Sequence, residues 1–239
     1  MRKTVLITGG TGVVGEALHP RFAEQHYNVV LTSRSHKNRD NAETISIDLL
    51  AENAITNLLE EIDKRKIKVT HLINNFRNTE NLAPNNEGHP SPHHWQDEYR
   101  AAVTVPYELT TALAKIGHLE SVINITSIYG VTAANMNLYD WNPAASPVHY
   151  DIAKAAEIHL TKELAVRLAP SNIRVNAIAY GGVRGRAPKE FEEKYENMCP
   201  LGGMLNPEDL PGTALFLASN DAEKITGQTI SVDGGWSIW

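Results

Sequence analysis

The most restrictive feature of this chain is a glycine-rich turn set directly between a strand pattern and a helix pattern. Val5-Leu6-Ile7-Thr8 is a short apolar run, Gly9-Gly10-Thr11-Gly12-Val13-Val14-Gly15 follows at once, and helical periodicity covers Val13–Gln25. The spacing Gly10-x-Gly12-x-x-Gly15 permits a tight turn, close approach of backbone to a diphosphate, and close packing of helix on strand. The helix N-terminus adds N–H groups and the positive end of a dipole, which favour an anion. A plain structural turn could carry the same glycines. Because this one opens the first strand–helix unit, it predicts nucleotide binding.

The rest of the chain repeats the alternation. Strand signals stand at Val29–Thr32, Thr44–Ile47, Val69–Ile73, Ser121–Thr126, Ile173–Ile178 and Thr229–Val232, for seven in all. Helical spacing joins Leu58, Leu59 and Ile62, and helices are expected near Trp95–Lys115, Tyr150–Leu168 and Pro207–Leu217. Short apolar strands between amphipathic helices predict a doubly wound α/β fold with a parallel sheet covered on both faces. With 239 residues and no linker-like stretch, one domain spanning 1–239 is expected. Two irregular segments, Arg77–His94 and Thr132–His149, follow strand C-terminal ends, where ligands bind in such sheets.

Composition closes off other classes. A net charge of −6 argues against nucleic acid as a partner. No apolar run approaches the about 18 residues that span a bilayer, so no membrane partner is expected. The single cysteine, Cys199, has no internal disulfide partner, and Met1-Arg2-Lys3 opens no signal-peptide pattern, so a cytoplasmic location is expected.

Two further constellations point to chemistry. At the second strand's end, where a carboxylate would hold ribose hydroxyls, stands Thr32-Ser33-Arg34. Ser33 and Arg34 suit a 2′-phosphate, which points to NADP, with NAD as the alternative; Arg34 as a solvated loop residue is the bland reading. Asp48 has two readings, acceptor for an adenine amino group or helix N-cap. Tyr150 and Lys154 lie four apart on one helix face, where an ammonium favours a phenolate and equips a phenol for proton transfer. Ser127, at the end of its strand, is placed to hydrogen-bond the same substrate oxygen.

Together these residues resemble the short-chain dehydrogenase/reductase family. The resemblance runs through Thr8–Gly15, Asn74-Asn75, Asn124-Ile125-Thr126-Ser127, Tyr150–Lys154, Ile173-Arg174-Val175-Asn176 and Thr226-Gly227-Gln228…Val232-Asp233-Gly234-Gly235. It implies strand order 3-2-1-4-5-6-7, Tyr150 as general acid/base, Ser127 as oxyanion ligand, and Lys154 as partner of Tyr150 and ligand of the nicotinamide ribose. It also implies a cofactor-binding set of Gly9, Gly12, Val14, Gly15, Ser33, Arg34, Asp48, Asn74, Gly181 and Val183, no metal, and a homotetramer or homodimer. Pro147-Val148-His149-Tyr150, Ile158–Lys162, Gly181-Gly182-Val183 and Gly203-Met204-Leu205 further resemble bacterial flagellin-modification oxidoreductases of amino-sugar and nonulosonic-acid pathways. A small, polar, sugar-derived carbonyl or alcohol is therefore the expected substrate. The alternatives are a 3-oxoacyl thioester reductase and a nucleotide-binding sensor or scaffold with impaired catalysis.

Several positions depart from the family pattern. The first turn has the glycine spacing of the family's extended members. Asn74-Asn75-Phe76-Arg77 replaces Asn-Asn-Ala-Gly, Ala102 falls where a proton-relay asparagine is usual, and Tyr180 replaces a proline. Twenty-two residues separate Ser127 from Tyr150, about ten more than in compact members. Among other residues, His89, His93 and His94 form a weak candidate metal cluster in a loop lacking an orienting scaffold. His149 is expected on an exposed loop, His159 in helix packing, and Cys199 as an inert thiol. Met136, Tyr139 and Trp141 would either close over a substrate or anchor the insertion.

Overall fold

The computed structural model describes residues 2–35, 39–82, 89–185 and 187–238; part of the expected irregular segment 77–94, residues 83–88, lies outside them. All seven expected strands form: β1 (Thr4–Ile7), β2 (Asn28–Ser33), β3 (Glu43–Ser46), β4 (His71–Asn74), β5 (Ser121–Ser127), β6 (Arg174–Tyr180) and β7 (Thr229–Val232). They make one parallel sheet of order β3-β2-β1-β4-β5-β6-β7. The order reverses at β1, between β2 and β4, which opens a crevice at the strand C-terminal ends.

Side chains of successive strand residues point to opposite faces, and the core divides accordingly. Leu6, Val30, Leu72, Val122 and Val175 face one layer, built on α2 (Ala54–Lys64), α4 (Val105–Ile116) and α6 (Val148–Leu168). Val5, Ile7, Ile73, Ile123 and Ile178 face the other, built on α1 (Val13–Glu24) and α8 (Pro211–Ala218). A third cluster of Ile128, Leu138, Tyr195, Cys199, Met204 and Trp236 joins the long insertion to α7 (Lys189–Glu196).

The helix expected over Trp95–Lys115 is divided. α3 (Pro92–Tyr99) passes through a π-helical stretch, Arg100–Thr104, into α4. Pro106 has no N–H for the Ala102 carbonyl four residues earlier, and its ring crowds that carbonyl, so the helix widens there. Proline also breaks the last expected helix: a 3₁₀ turn at Pro207–Asp209 precedes α8. A short helix α5 (Ile128–Val131) directly after β5, together with α7, extends the sequence reading. Among the described residues no helix is long and apolar enough to cross a membrane.

Candidate active site

The crevice contains two adjoining cavities of about 550 and 430 Å³, which share Val13, Val14, Asn75 and Arg77. The larger lies over the glycine turn. Gly9 there has φ +61°, and an added Cβ would come 2.9 Å from Phe76 Cα, so only glycine fits without strain. A Cβ on Gly12 would meet nothing closer than the Gly9 carbonyl at 3.4 Å and would project into the cavity that Gly12 lines. The N-terminus of α1 has no side-chain cap. Its first N–H groups are thus free for an anion, which is the donor set a diphosphate requires.

Ser33 and Arg34 line the outer part of this cavity beside Thr11 and Ser35. The Ser33 and Thr11 hydroxyls hydrogen-bond at 2.8 Å, and the Ser35 N–H donates to Ser33 Oγ at 3.3 Å. No carboxylate is among the described residues that line it. Arg34 reaches Glu80 at 3.6 Å, with both side chains more than half exposed.

Three members of the expected cofactor set do not reach the cavity. Gly15 packs against Gly10, where a Cβ would lie 2.5 Å from the carbonyl oxygen, so its role is helix–strand contact. Asp48 accepts the Leu50 N–H at 3.0 Å in a local turn, and Ile47 takes the lining position. The N-cap of α2 is Asn53, which removes the capping alternative for Asp48. Asn74 is buried and donates to Asn124 Oδ1 at 2.8 Å, while Asn124 donates to Thr161 Oγ1 at 2.8 Å, tying β4 and β5 to α6. Asn75 faces the cavity instead, donating from Nδ2 to the Thr8 and Gly9 carbonyls at 3.1 Å each.

The smaller cavity gathers Ser127, Tyr150, Lys154, Gly181 and Val183. Ser127 ends β5 and caps α5, its Oγ accepting the Tyr129 N–H at 3.2 Å, which leaves the hydroxyl proton to donate. Thr126 Oγ1 donates to the Lys154 carbonyl at 3.0 Å, setting the first turns of α6 against the end of β5. Lys154 Nζ donates to the Ile125 carbonyl at 2.8 Å and to Glu157 Oε2 at 2.7 Å. Burial works against this ammonium, but the Glu157 carboxylate holds its pKa above the ordinary lysine value. Burial pushes the Glu157 carboxyl up to about 7 in spite of Lys154. Arg77 places its guanidinium carbon 3.9 Å from the Tyr150 ring centroid, with Glu98 4.0 Å behind it. The buried Glu98 carboxyl is raised by desolvation, and Asp151, also desolvated, is raised to about 7.

The long insertion contributes to the cavity wall and is anchored to the body of the protein. Tyr139 lines the cavity and hydrogen-bonds Tyr129 hydroxyl to hydroxyl at 2.8 Å. It also packs on Phe191 of α7, and Lys194 bonds Asp140 at 2.6 Å, anchoring the segment. Trp141 is 73 % exposed and its indole N–H donates to Asn137 Oδ1, and Met136 lines a separate apolar groove. The expectations for two histidines are reversed. His149 is buried between His94 and Trp95, whereas His159 is exposed, 3.9 Å from Glu163. His93 pairs with Asp97 at 3.3 Å, and no group of three or more metal-ligating side chains occurs among the described residues. Cys199 is buried and donates to the Asp233 carbonyl at 3.3 Å; desolvation raises its thiol.

A family model described as Enoyl-(Acyl carrier protein) reductase matches residues 12–237. The chain belongs to the short-chain dehydrogenase/reductase family. A 3-oxoacyl-[acyl-carrier-protein] reductase of Aquifex aeolicus is 29% identical over 98% of this chain and 96% of its own. Post-translational flagellin modification protein A of Campylobacter coli is 41% identical over 118 residues, so the match spans 49% of this chain and 46% of that protein. A short chain dehydrogenase of Leptospira borgpetersenii solved with bound NAD+ is 29% identical and superposes with a TM-score of 0.88, covering 99% of this chain and 93% of that one. Family and glycine cradle together support a nicotinamide coenzyme and oxidoreductase chemistry.

Sequence reasoning paired Lys154 with Tyr150 and named no counter-ion for the ammonium. Glu157 supplies it, and the signal was present: an acid three residues after a lysine on a stripe that also carries Ala153, Thr161 and Leu164, all buried.

Proposed function

We propose that this protein is an NADP(H)-preferring oxidoreductase that moves a hydride between nicotinamide and a carbonyl or alcohol of a small, polar, sugar-derived substrate. The observation that carries the reading is the convergence of Ser127, Tyr150 and Lys154 on one cavity that adjoins the glycine cradle. When bound, the coenzyme supplies or accepts the hydride. Gly9, Gly12 and Val14 would hold its diphosphate end, Gly181 and Val183 its nicotinamide end, and Lys154 the adjoining ribose. Ser33 and Arg34 give a hydroxyl and a cation for a 2′-phosphate, the support for NADP over NAD.

Ser127 donates a hydrogen bond to the substrate oxygen and holds it facing Tyr150. Tyr150 gives a proton to that oxygen in reduction and takes one from it in oxidation. Arg77, Arg184 and Tyr139 offer polar groups to a hydroxylated substrate, beside apolar surface from Ile128, Ala187, Phe191 and Met204. The sugar-derived reading rests on the resemblance to flagellin-modification oxidoreductases, and the Aquifex reductase supports 3-oxoacyl thioesters as the second reading. The protein acts as one domain spanning 1–239, in the cytoplasm, as a homotetramer or homodimer. An absorbance screen of NADPH and NADH oxidation, and of the reverse reaction, tests this against sugar-derived carbonyls and alcohols and 3-oxoacyl thioesters. Turnover of the thioesters alone would replace the sugar reading. Coenzyme binding with no turnover of either class would favour a sensor.

A further inference from the structure

Three cations, Arg77, Lys154 and Arg184, line the cavity that holds Ser127 and Tyr150, and no carboxylate lines it among the described residues. Two of the three are matched from behind the wall. Lys154 Nζ donates to Glu157 Oε2 at 2.7 Å and is coupled electrostatically to the Tyr150 phenol. Arg184 Nη1 donates to Glu192 Oε2 at 3.1 Å. Arg77 is the exception. Its nearest carboxylate among the described residues, on Glu98, stands 4.0 Å from Nε, too far for a hydrogen bond, and Nε is buried without a partner. Burial also works against a full counter-charge there. Desolvation raises the Glu98 carboxyl and lifts Asp151, the other acid in the field of Arg77, to about 7.

Arg77 lies over the Tyr150 ring, its guanidinium carbon 3.9 Å from the centroid. A ring face attracts the charge but offers no oxygen to the five N–H donors of a guanidinium. That fork matches a carboxylate through two parallel hydrogen bonds. It stands here beside the residues that handle the reacting oxygen, where the family usually has a small side chain. An anionic ligand would supply the acceptors that this partly buried cation lacks. We propose that the substrate is a carboxylate, a sugar-derived hydroxy acid or the matching oxo acid, and that Arg77 binds its carboxylate group. One incompletely matched cation suits the single charge of a carboxylate better than the double charge of a phosphate monoester.

This deepens the oxidoreductase reading of the same site and rests on it for the reaction, though not for the binding of the anion. In oxidation the hydroxy acid loses a hydride from carbon to the oxidised nicotinamide and its hydroxyl proton to Tyr150, which leaves the oxo acid. The carboxylate is unchanged throughout and serves as the anchor.

The test has a binding arm and a turnover arm. In the first, calorimetry follows gluconate, glycolate and lactate into the protein saturated with NADPH, with gluconamide and glycerol phosphate as the neutral and phosphate comparisons. In the second, the acids of the turnover screen are offered both as carboxylates and as carboxamides. Far-ultraviolet circular dichroism confirms that each variant is folded. Gluconate should bind tighter than gluconamide, and glycerol phosphate should bind no tighter than the best carboxylate. Arg77→Met should weaken that carboxylate by roughly ten- to a hundredfold, the worth of a charge-assisted hydrogen bond, and Arg77→Lys should recover part of the loss. Arg184→Met should weaken it less, because Glu192 already engages that cation.

Four results would each overturn the proposal: no carboxylate bound at tens of millimolar, equal affinity for gluconate and gluconamide, tighter binding of the phosphate, or a larger loss in Arg184→Met than in Arg77→Met. So would an Arg77→Met protein that loses NADPH affinity yet keeps the native preference for carboxylates, which makes Arg77 a coenzyme ligand. Carboxylate binding that depends on Arg77, without turnover of any compound, would sink the oxidoreductase reading and leave the anion site standing. Equal turnover of carboxylates and carboxamides would do the reverse.

Discussion

Lys154 and Glu157 form a buried ion pair, with Nζ 2.7 Å from Oε2 and both side chains at most 7 % exposed. Taking two charges out of water is costly, and the Ile125 carbonyl offsets part of that cost by accepting a second hydrogen bond from the ammonium. The pair holds Lys154 in one rotamer beneath the cavity. It therefore acts on the geometry of the site as much as on its charge.

Removing one member should expose that balance. Glu157→Gln leaves an ammonium buried without its counter-ion and should cost about 3 kcal/mol, within the range for breaking such pairs. Lys154→Met with Glu157→Leu buries no charge and should regain most of the loss. Chemical denaturation of both variants at neutral pH checks this. A double variant no more stable than Glu157→Gln would show that the pair is not an energetic unit.

Loss of the proposed acid/base should leave the cradle intact. Tyr150→Phe should bind NADPH as the native protein does and lose turnover by about 100-fold or more, the scale of a positioned proton donor. Lys154→Ala should weaken coenzyme binding as well as turnover. Coenzyme fluorescence titration and steady-state rates on a substrate from the screen separate the two. Near-native turnover in Tyr150→Phe would remove Tyr150 from the mechanism.

The sheet was legible because each strand is short, apolar and bounded by a helix pattern, and parallel strands must be covered on both faces. Ser127, Tyr150 and Lys154 were legible because a strand end and a helix face fix where such residues point. What escaped the reading were buried charges. Glu98 carries a side chain that is almost always solvated, so nothing marked it as interior, and Glu157 was marked only by its place three residues after Lys154 on the buried stripe of α6. α7 has only Phe191 and Tyr195 as large apolar residues amid Lys and Glu, too little periodicity to announce a helix. For Asn74 and Asn75 the signal was there: Asn74 ends β4 and Asn75 follows it directly, and successive extended residues point to opposite sides.

Coenzyme choice should depend on Arg34. Its ion pair with Glu80 is exposed and weak, so it does not withhold the guanidinium from a ligand. NADPH should bind tighter than NADH, and Arg34→Ala should shrink the gap by roughly ten- to a hundredfold, the worth of a charge-assisted hydrogen bond of ~1.5–3 kcal/mol. Equal affinity of the native protein for both coenzymes would reject the NADP assignment.

The dependence of stability on pH should carry the mark of Asp151. Desolvation raises this carboxyl to about 7 from an ordinary value near 3.8, so the folded state holds its proton more tightly than the unfolded chain. The stability it contributes is complete below the unfolded pKa and is lost as pH rises through about 7. Asp151→Asn should therefore flatten the fall in Tm between pH 5 and 8, roughly the span bracketing that transition. Calorimetry across the series decides, and parallel curves for the two proteins would contradict it.

Ala102 carries the last prediction. It is 2 % exposed in the π-helical stretch, which packs against α6, at the place where the family usually has a relay asparagine. An asparagine there has to displace packed neighbours, and overpacking of this kind costs typically about 1–3 kcal/mol. Its amide would gain little in return, because the Lys154 ammonium already donates to Glu157 and to the Ile125 carbonyl. Ala102→Asn should therefore lower Tm while leaving turnover within a few-fold of native. Thermal unfolding and steady-state rates measured on the same preparations test both halves. A rise in turnover of orders of magnitude would mean that the native relay is crippled. The sensor reading would then displace the enzyme reading, since a chain under selection for turnover would not forgo a gain available through a single side chain.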